Sequence, residues 1–135
     1  MSEKKQSILV VDDEPDIVDS LFDTFIDKYN MYKASNAKEA LEIINDNQID
    51  LIICDQSMPE ITGVEFFDKI GKDHSHIGKI LLTGYFENQE VVDCINKGSV
   101  DKCVTKPWDE DDILNVVFEV LNTKLKKATE PGKKS

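Results

Sequence analysis

Ser7-Ile8-Leu9-Val10-Val11-Asp12-Asp13-Glu14-Pro15 is the chain's first apolar run, closed by three acids and a proline. Ile8 to Val11 is continuous rather than alternating, so a strand built from it is apolar on both faces. Such a strand belongs in a parallel sheet covered by helices on each side. The pattern recurs at Leu51-Ile52-Ile53-Cys54, at Ile80-Leu81-Leu82 and, more weakly, from Val100 to Val104. Met31-Tyr32-Lys33-Ala34 is a fifth candidate, and its lower hydrophobicity suits a sheet edge.

Between these runs the apolar period becomes helical. Ile17, Val18, Leu21, Phe22, Phe25 and Ile26 line one stripe of residues 15–28, with Pro15 suited to the first turn. Ala37, Ala40, Leu41 and Ile44 make a second stripe, and Asn36 with Glu39 has the spacing of a capping box. Thr62 and Glu65 repeat that spacing before Val64, Phe66, Phe67 and Ile70. Val91, Val92 and Ile95 form a shorter stripe that stops at Gly98, a C-cap residue. Ile113, Val116, Val117, Val120 and Leu121 complete a last helix, whose dipole is favoured by Asp109, Glu110, Asp111 and Asp112 at its start. Five β-α repeats joined by short loops predict an α/β fold, an open doubly wound parallel sheet with helices on both faces. Five strands suit the flavodoxin-like order 2-1-3-4-5, which puts the functional crevice at the carboxyl ends of strands 1 and 3.

The length of 135 residues suits one domain, with residues 1–6 as a lead, 7–125 as the domain and 126–135 as a basic tail or linker stub. Cys54, Cys94 and Cys103 are odd in number and contain no CxxC pair, which argues against a disulfide framework or zinc site and suits a reducing cytoplasm. No stretch approaches the ~20 apolar residues of a membrane span, so no membrane partner is expected. The net charge is −11, and residues 124–135 hold five Lys and one Glu, which leaves about −15 on the rest. An acidic body of this kind opposes direct nucleic acid binding.

Asp12 and Asp13 end strand 1 and Asp55 ends strand 3, so the expected topology gathers three carboxylates at the crevice. Taken singly, each reads as a helix cap or turn residue. Together, at ~4 Å and an effective dielectric near 20, each pair repels by about 4 kcal/mol, enough to raise pKa values or demand a cation, of which the cation is the simpler answer. The ligands are hard oxygens, so Mg²⁺ or Mn²⁺ is favoured over zinc. Strands 4 and 5 end in Thr83 and in Thr105-Lys106-Pro107, adding a hydroxyl and an ammonium. This set describes a phosphoryl site in which Thr83 and Lys106 stabilise charge on the transferring group and Asp55 is nucleophile or acceptor.

These residues resemble the motif set of the receiver (response regulator) domains of two-component signalling. The set is the pair Asp12-Asp13 after a valine strand, Asp55 followed by Met58-Pro59 and Gly63, Thr83 after Leu81-Leu82, and Lys106-Pro107, and the likeness runs from about Ser7 to Leu125. The resemblance implies that Asp55 is the phosphoacceptor for a histidine kinase or phosphotransfer protein, in a metal-dependent reaction that the domain assists without being an enzyme on a separate substrate. It implies that Asp13 and Asp55 hold Mg²⁺ by their side chains, Ser57 by its backbone carbonyl and Asp12 mainly through water. Thr83 and Lys106 would contact the phosphoryl oxygens, Lys106-Pro107 would be cis, and the loop from Gln56 to Thr62 would close over the site.

Cys103 departs from this pattern, standing where the family usually carries an aromatic residue that moves with the threonine. Tyr85 and Trp108 are candidates to take over that role. Ser57 and Tyr85 stand where family members tune acyl phosphate lifetime. Cys54 is expected in the core, and its acidic neighbourhood should raise its thiol pKa. His74 and His76 read as solvated surface. The rival functions are a protein-binding scaffold of the same shape that is never phosphorylated, and a haloacid-dehalogenase-like phosphohydrolase. The latter needs an acid two residues after the nucleophile, where this chain has Ser57. The cognate kinase and the downstream output protein or domain are not legible in the residues.

Overall fold

Apolar strands and amphipathic helices alternate along the chain as their periodicity dictates. A computed structural model describes residues 5–71, 73–84 and 89–129, with no side-chain detail at 90, 91, 94 and 126–129. The elements run β1 (Ser7–Val11), α1 (Pro15–Phe25), β2 (Asn30–Ala34), α2 (Ala37–Asp46), β3 (Leu51–Asp55), α3 (Gly63–Ile70), β4 (Gly78–Thr83), α4 (Gln89–Lys97), β5 (Lys102–Thr105) and α5 (Glu110–Thr129). All the strands pair in parallel, in the order β2-β1-β3-β4-β5, so the expected winding is the observed one.

The continuous runs are explained by two cores. Ile8, Val10, Leu51, Ile53, Ile80 and Leu82 face α1 and α5, meeting Leu21, Phe25, Ile113 and Val117. Leu9, Val11, Ile52, Cys54 and Leu81 face the other way, toward Ala40 and Ile44 of α2 and Phe66, Phe67 and Ile70 of α3. Each such side chain, fully buried, stabilises the fold by about 1.5–3 kcal/mol relative to exposure. The poorer β2 lies at the sheet edge, as its composition predicts.

Local signals mostly hold. Pro15 opens α1, and Thr62 and Glu65 form a complete capping box on α3. At α2 the box is half made: Asn36 Oδ1 accepts the Glu39 N–H at 2.8 Å, but the Glu39 carboxylate turns to the Ser35 N–H and hydroxyl. Those two hydrogen bonds lower the Glu39 pKa. Gly98 takes φ +86° just past α4, the backbone form expected of a C-cap glycine. The weak Val100–Val104 run shifts: the β5 ladder starts at Lys102, while Val100 packs into the α2/α3 core from the connection before it. Helix α5 runs through Thr129, into the segment 126–135 that reads as a basic tail or linker stub. Lysines are good helix formers and are favoured near a helix C-terminus, and the next helix breaker is Pro131.

The N-terminus of α3 presses on the ends of β3 and β4. A Cβ on Gly63 would stand 2.6 Å from the Asp55 carbonyl oxygen and 2.6 Å from Leu81 Cδ1. Gly63→Ala should therefore cost about 1–3 kcal/mol in urea unfolding. Gly84→Ala, whose Cβ meets nothing within 4 Å, should stay within about 0.5 kcal/mol of the parent. Equal midpoints for the two variants would contradict this packing.

Candidate functional site

Strand register fixes the heights of the site residues. Val11 pairs with Cys54, so Asp12 and Asp55 leave β1 and β3 at one level. Asp55 pairs with Leu82, and Thr83 pairs with Thr105, which places Thr83 and Lys106 at the same carboxyl edge. The Lys106 N–H donates to the Thr83 carbonyl at 3.1 Å, tying β5 to β4 at that edge. Parallel pairing thus converts four remote sequence positions into one cluster.

Carboxylate oxygens of Asp12, Asp13 and Asp55 lie within 4.8 Å of one another. Asp12 and Asp55 are buried, 1% and 3% exposed, while Asp13 faces solvent. At that spacing a pair of unit charges repels by roughly 3–4 kcal/mol at an effective dielectric of 20. One cation answers them: Lys106 Nζ sits 2.6 Å from Asp55 Oδ1. Burial by itself would lower the Lys106 pKa, but the hydrogen bond and charge of Asp55, with Asp12 and Glu14 behind, raise it. Lys106 is thus held as an ammonium.

Asp12 Oδ1 accepts the Glu14 N–H at 3.0 Å, a turn contact ahead of α1 rather than a helix cap, since the N-cap position is Glu14 and carries no side-chain cap. Asp12 Oδ2 is buried, and no described residue gives it a hydrogen bond. Burial lifts the Asp12 pKa to about 6; the Glu14 amide and Lys106 oppose the rise and Asp55 adds to it. An orphaned buried oxygen among clustered carboxylates fits a hard divalent cation with oxygen ligands.

The loop from Gln56 to Thr62 is clamped by a residue the sequence reading did not single out. Gln56 is buried; its N–H donates to the Leu82 carbonyl, its carbonyl accepts the Gly63 N–H, and its Oε1 accepts the Val64 N–H at 2.9 Å. Nothing in a lone glutamine after an aspartate signals this, because the partners are backbone groups of distant elements. Within the loop Glu60 takes φ +74° and the Ile61 N–H donates to the Pro59 carbonyl at 2.8 Å, a γ-turn. Ser57 is exposed in this loop, and Met58 packs on the α2/α3 core.

Other residues fall where their chemistry suggests. Lys106-Pro107 is cis. Cys54 is buried, and burial followed by the charges of Asp55 and Asp12 raises its thiol pKa. Cys103 is half-buried against the α2/α3 core, and Trp108 is a partly buried ring against the α1/α5 core. Tyr85 lies outside the described residues. His74 and His76 stand with ring centroids 6.2 Å apart, and among the described residues the group with metal-ligand spacing is the aspartate trio alone. Lys79 is buried at the opposite edge of the sheet, which its place beside an apolar run did not announce.

Known proteins share this arrangement. Residues 8–118 match the family model of the response regulator receiver domain. The hydrogenase transcriptional regulatory protein HoxA of Cupriavidus necator is 31% identical over 90% of this chain, and the regulatory protein VanR of Enterococcus faecium is 36% identical over 80%. The chain spans 25% of the length of HoxA and 45% of VanR. A CheY-like response regulator receiver domain protein from Methanospirillum hungatei superposes with a TM-score of 0.85 at 29% identity, covering 92% of this chain and 99% of that one. Among the described residues no helix is long and apolar enough to cross a membrane. With this order of strands and this edge of acids, threonine and lysine, the chain belongs to the response regulator receiver domain family of two-component signalling.

Proposed function

We propose that the chain is a phosphorylation-dependent switch whose acceptor is Asp55. The observation that carries this is the convergence of Asp12, Asp13 and Asp55 within 4.8 Å, with Lys106 Nζ 2.6 Å from the Asp55 carboxylate. A sensor histidine kinase or phosphotransfer protein presents a phosphohistidine. An Asp55 carboxylate oxygen attacks the phosphorus and forms an acyl phosphate; the P–N bond breaks and its electron pair leaves with the imidazole. Lys106 stays beside the acceptor as the fixed positive charge, and Thr83 offers a hydroxyl to the phosphoryl oxygens.

Asp13 and Asp55 would hold Mg²⁺ or Mn²⁺ by their side chains, Ser57 by its carbonyl, and Asp12 chiefly through water. When bound, the cation neutralises charge shared between carboxylates and phosphoryl group. Residues 7–125 carry the switch in this reading, flanked by a lead at 1–6 and a basic tail at 126–135. It acts in the cytoplasm on itself rather than on a separate substrate, and its output is an altered surface read by a downstream protein or domain.

Incubation with acetyl phosphate and Mg²⁺ should add one phosphoryl group by intact mass, and Asp55→Asn should abolish the increment. Lys106→Met should slow its appearance roughly 10²-fold, the order expected for losing a preorganised charge stabiliser. A parent that stays unmodified, or an increment that survives in Asp55→Asn, would sink the assignment.

The crowding of acids also makes a stability prediction. Asp12 has its pKa raised to about 6, so its ionised form opposes folding: the penalty is complete above pH 6, fades as pH falls toward 4, and is absent below. Asp12→Asn in EDTA should therefore be more stable than the parent at pH 7.5, by on the order of 2–3 kcal/mol, with no gain at pH 4. In the parent, Mg²⁺ at about 100 times its Kd should supply roughly 2.7 kcal/mol at neutral pH, and Asp12→Asn should lose most of it. Thermal melts across that pH range, with and without Mg²⁺, decide the matter.

A further inference from the structure

At the amino edge of the sheet, Lys79 and its neighbours form a second charged site of opposite sign. Lys79 lies four residues before Thr83 on β4, about 13 Å away along an extended strand. Its side chain is buried, 3% exposed, and Nζ donates to the carbonyls of His74 at 2.8 Å and Ile77 at 3.0 Å. An ammonium has three N–H groups, so one remains beyond those two. Among the described residues no carboxylate stands within ion-pair distance of Lys79 Nζ, and neutral carbonyls do not offset its charge. Burial first, then the charge of Lys124, lowers its pKa to about 8, against the pull of Asp101.

Lys79 lines a cavity of about 520 Å³ together with Lys97, Lys124, Asp68, Ser75 and Ser99. Asp68 pairs with Lys97 at 3.6 Å and accepts the Ser99 hydroxyl at 3.1 Å, while Lys124 pairs with Asp101 at 3.5 Å. Three ammonium groups therefore meet two carboxylates, a local positive excess on a chain of net charge −11. The excess resides on the buried member. The cavity has the size of a small-ligand site rather than of a groove for an extended polyanion.

We propose that this cavity binds a small ligand through an oxyanion group, phosphate or carboxylate, seated on Lys79 with Lys97 and Lys124 beside it. The oxyanion supplies the counter-charge and the third hydrogen-bond acceptor that the described residues do not give Lys79. This site is independent of phosphorylation at Asp55 and uses none of its residues.

The test is amide NMR of the full chain without divalent cations, titrated with sodium phosphate and separately with sodium acetate at constant ionic strength in sodium chloride. Saturable shifts are expected at Ser75, Lys79 and Ser99 and none at Asp12 or Asp55. A response to phosphate alone assigns a phosphoryl ligand, and a response to both assigns oxyanions generally. Lys79→Met should weaken binding about tenfold or more. Lys97→Gln, at an exposed position that leaves folding intact, should weaken it severalfold and serves if Lys79→Met does not fold. Shifts that are linear and equal in chloride, or a Lys97→Gln protein that responds as the parent does, overturn the proposal.

Discussion

Like charge is held close at the carboxyl edge of this sheet, and the rest of the structure makes that possible. Asp12 and Asp55 are carried there by β1 and β3, whose other residues are buried on both faces. The strands cannot slip to separate the acids, because a one-residue shift would exchange the contents of the two cores. Repulsion of a few kcal/mol per pair is small beside the burial of some thirty core side chains. The site is therefore unstable locally within a fold that is stable globally. Lys106 offsets one acid, Asp12 Oδ2 has no hydrogen-bond partner among the described residues, and the residual imbalance favours a cation.

The same edge is mechanically tied to its surroundings. Gln56 follows Asp55 directly and binds backbone groups of β4 and α3 at once, while Lys106 binds Thr83 through its backbone and Asp55 through its side chain. A change of charge on Asp55 therefore acts on residues that already join three strands and a helix. Glu60, at positive φ, lies in the loop that Gln56 opens.

Much of this was legible in the residues. The continuous apolar runs gave strands buried on both faces, and the lesser hydrophobicity of Met31 to Ala34 placed β2 at the edge. Asp12, Asp13, Asp55, Thr83 and Lys106 were legible because each ends a strand, and parallel topology sends all strand ends to one place. What escaped were buried polar residues whose reason lies elsewhere in the chain. Gln56 is explained only by backbone groups at Leu82, Gly63 and Val64, and Lys79 only by carbonyls of the turn before β4. Periodicity reports which residues leave water but is silent on polar partners supplied by tertiary contact. The continuation of α5 into the lysine-rich segment is a related case: lysines that read as a solvated tail also propagate a helix.

Cys103 gains meaning from the two-sided core. It is three residues before Lys106 and packs toward α2 and α3, whereas Trp108, two residues after Lys106, packs toward α1 and α5. The side chains flanking Lys106 thus pack against opposite cores. On the α2/α3 side that residue is a small thiol, which fills little volume and can shift without leaving a large void. On the α1/α5 side it is the chain's single tryptophan, beside Ile17, Ser20 and Pro107. The ring offers far more contact surface to the α1/α5 side than the Cys103 thiol offers to the α2/α3 side, so the two flanks of Lys106 are packed unequally. The asymmetry follows from side-chain volume on either side of a common strand end.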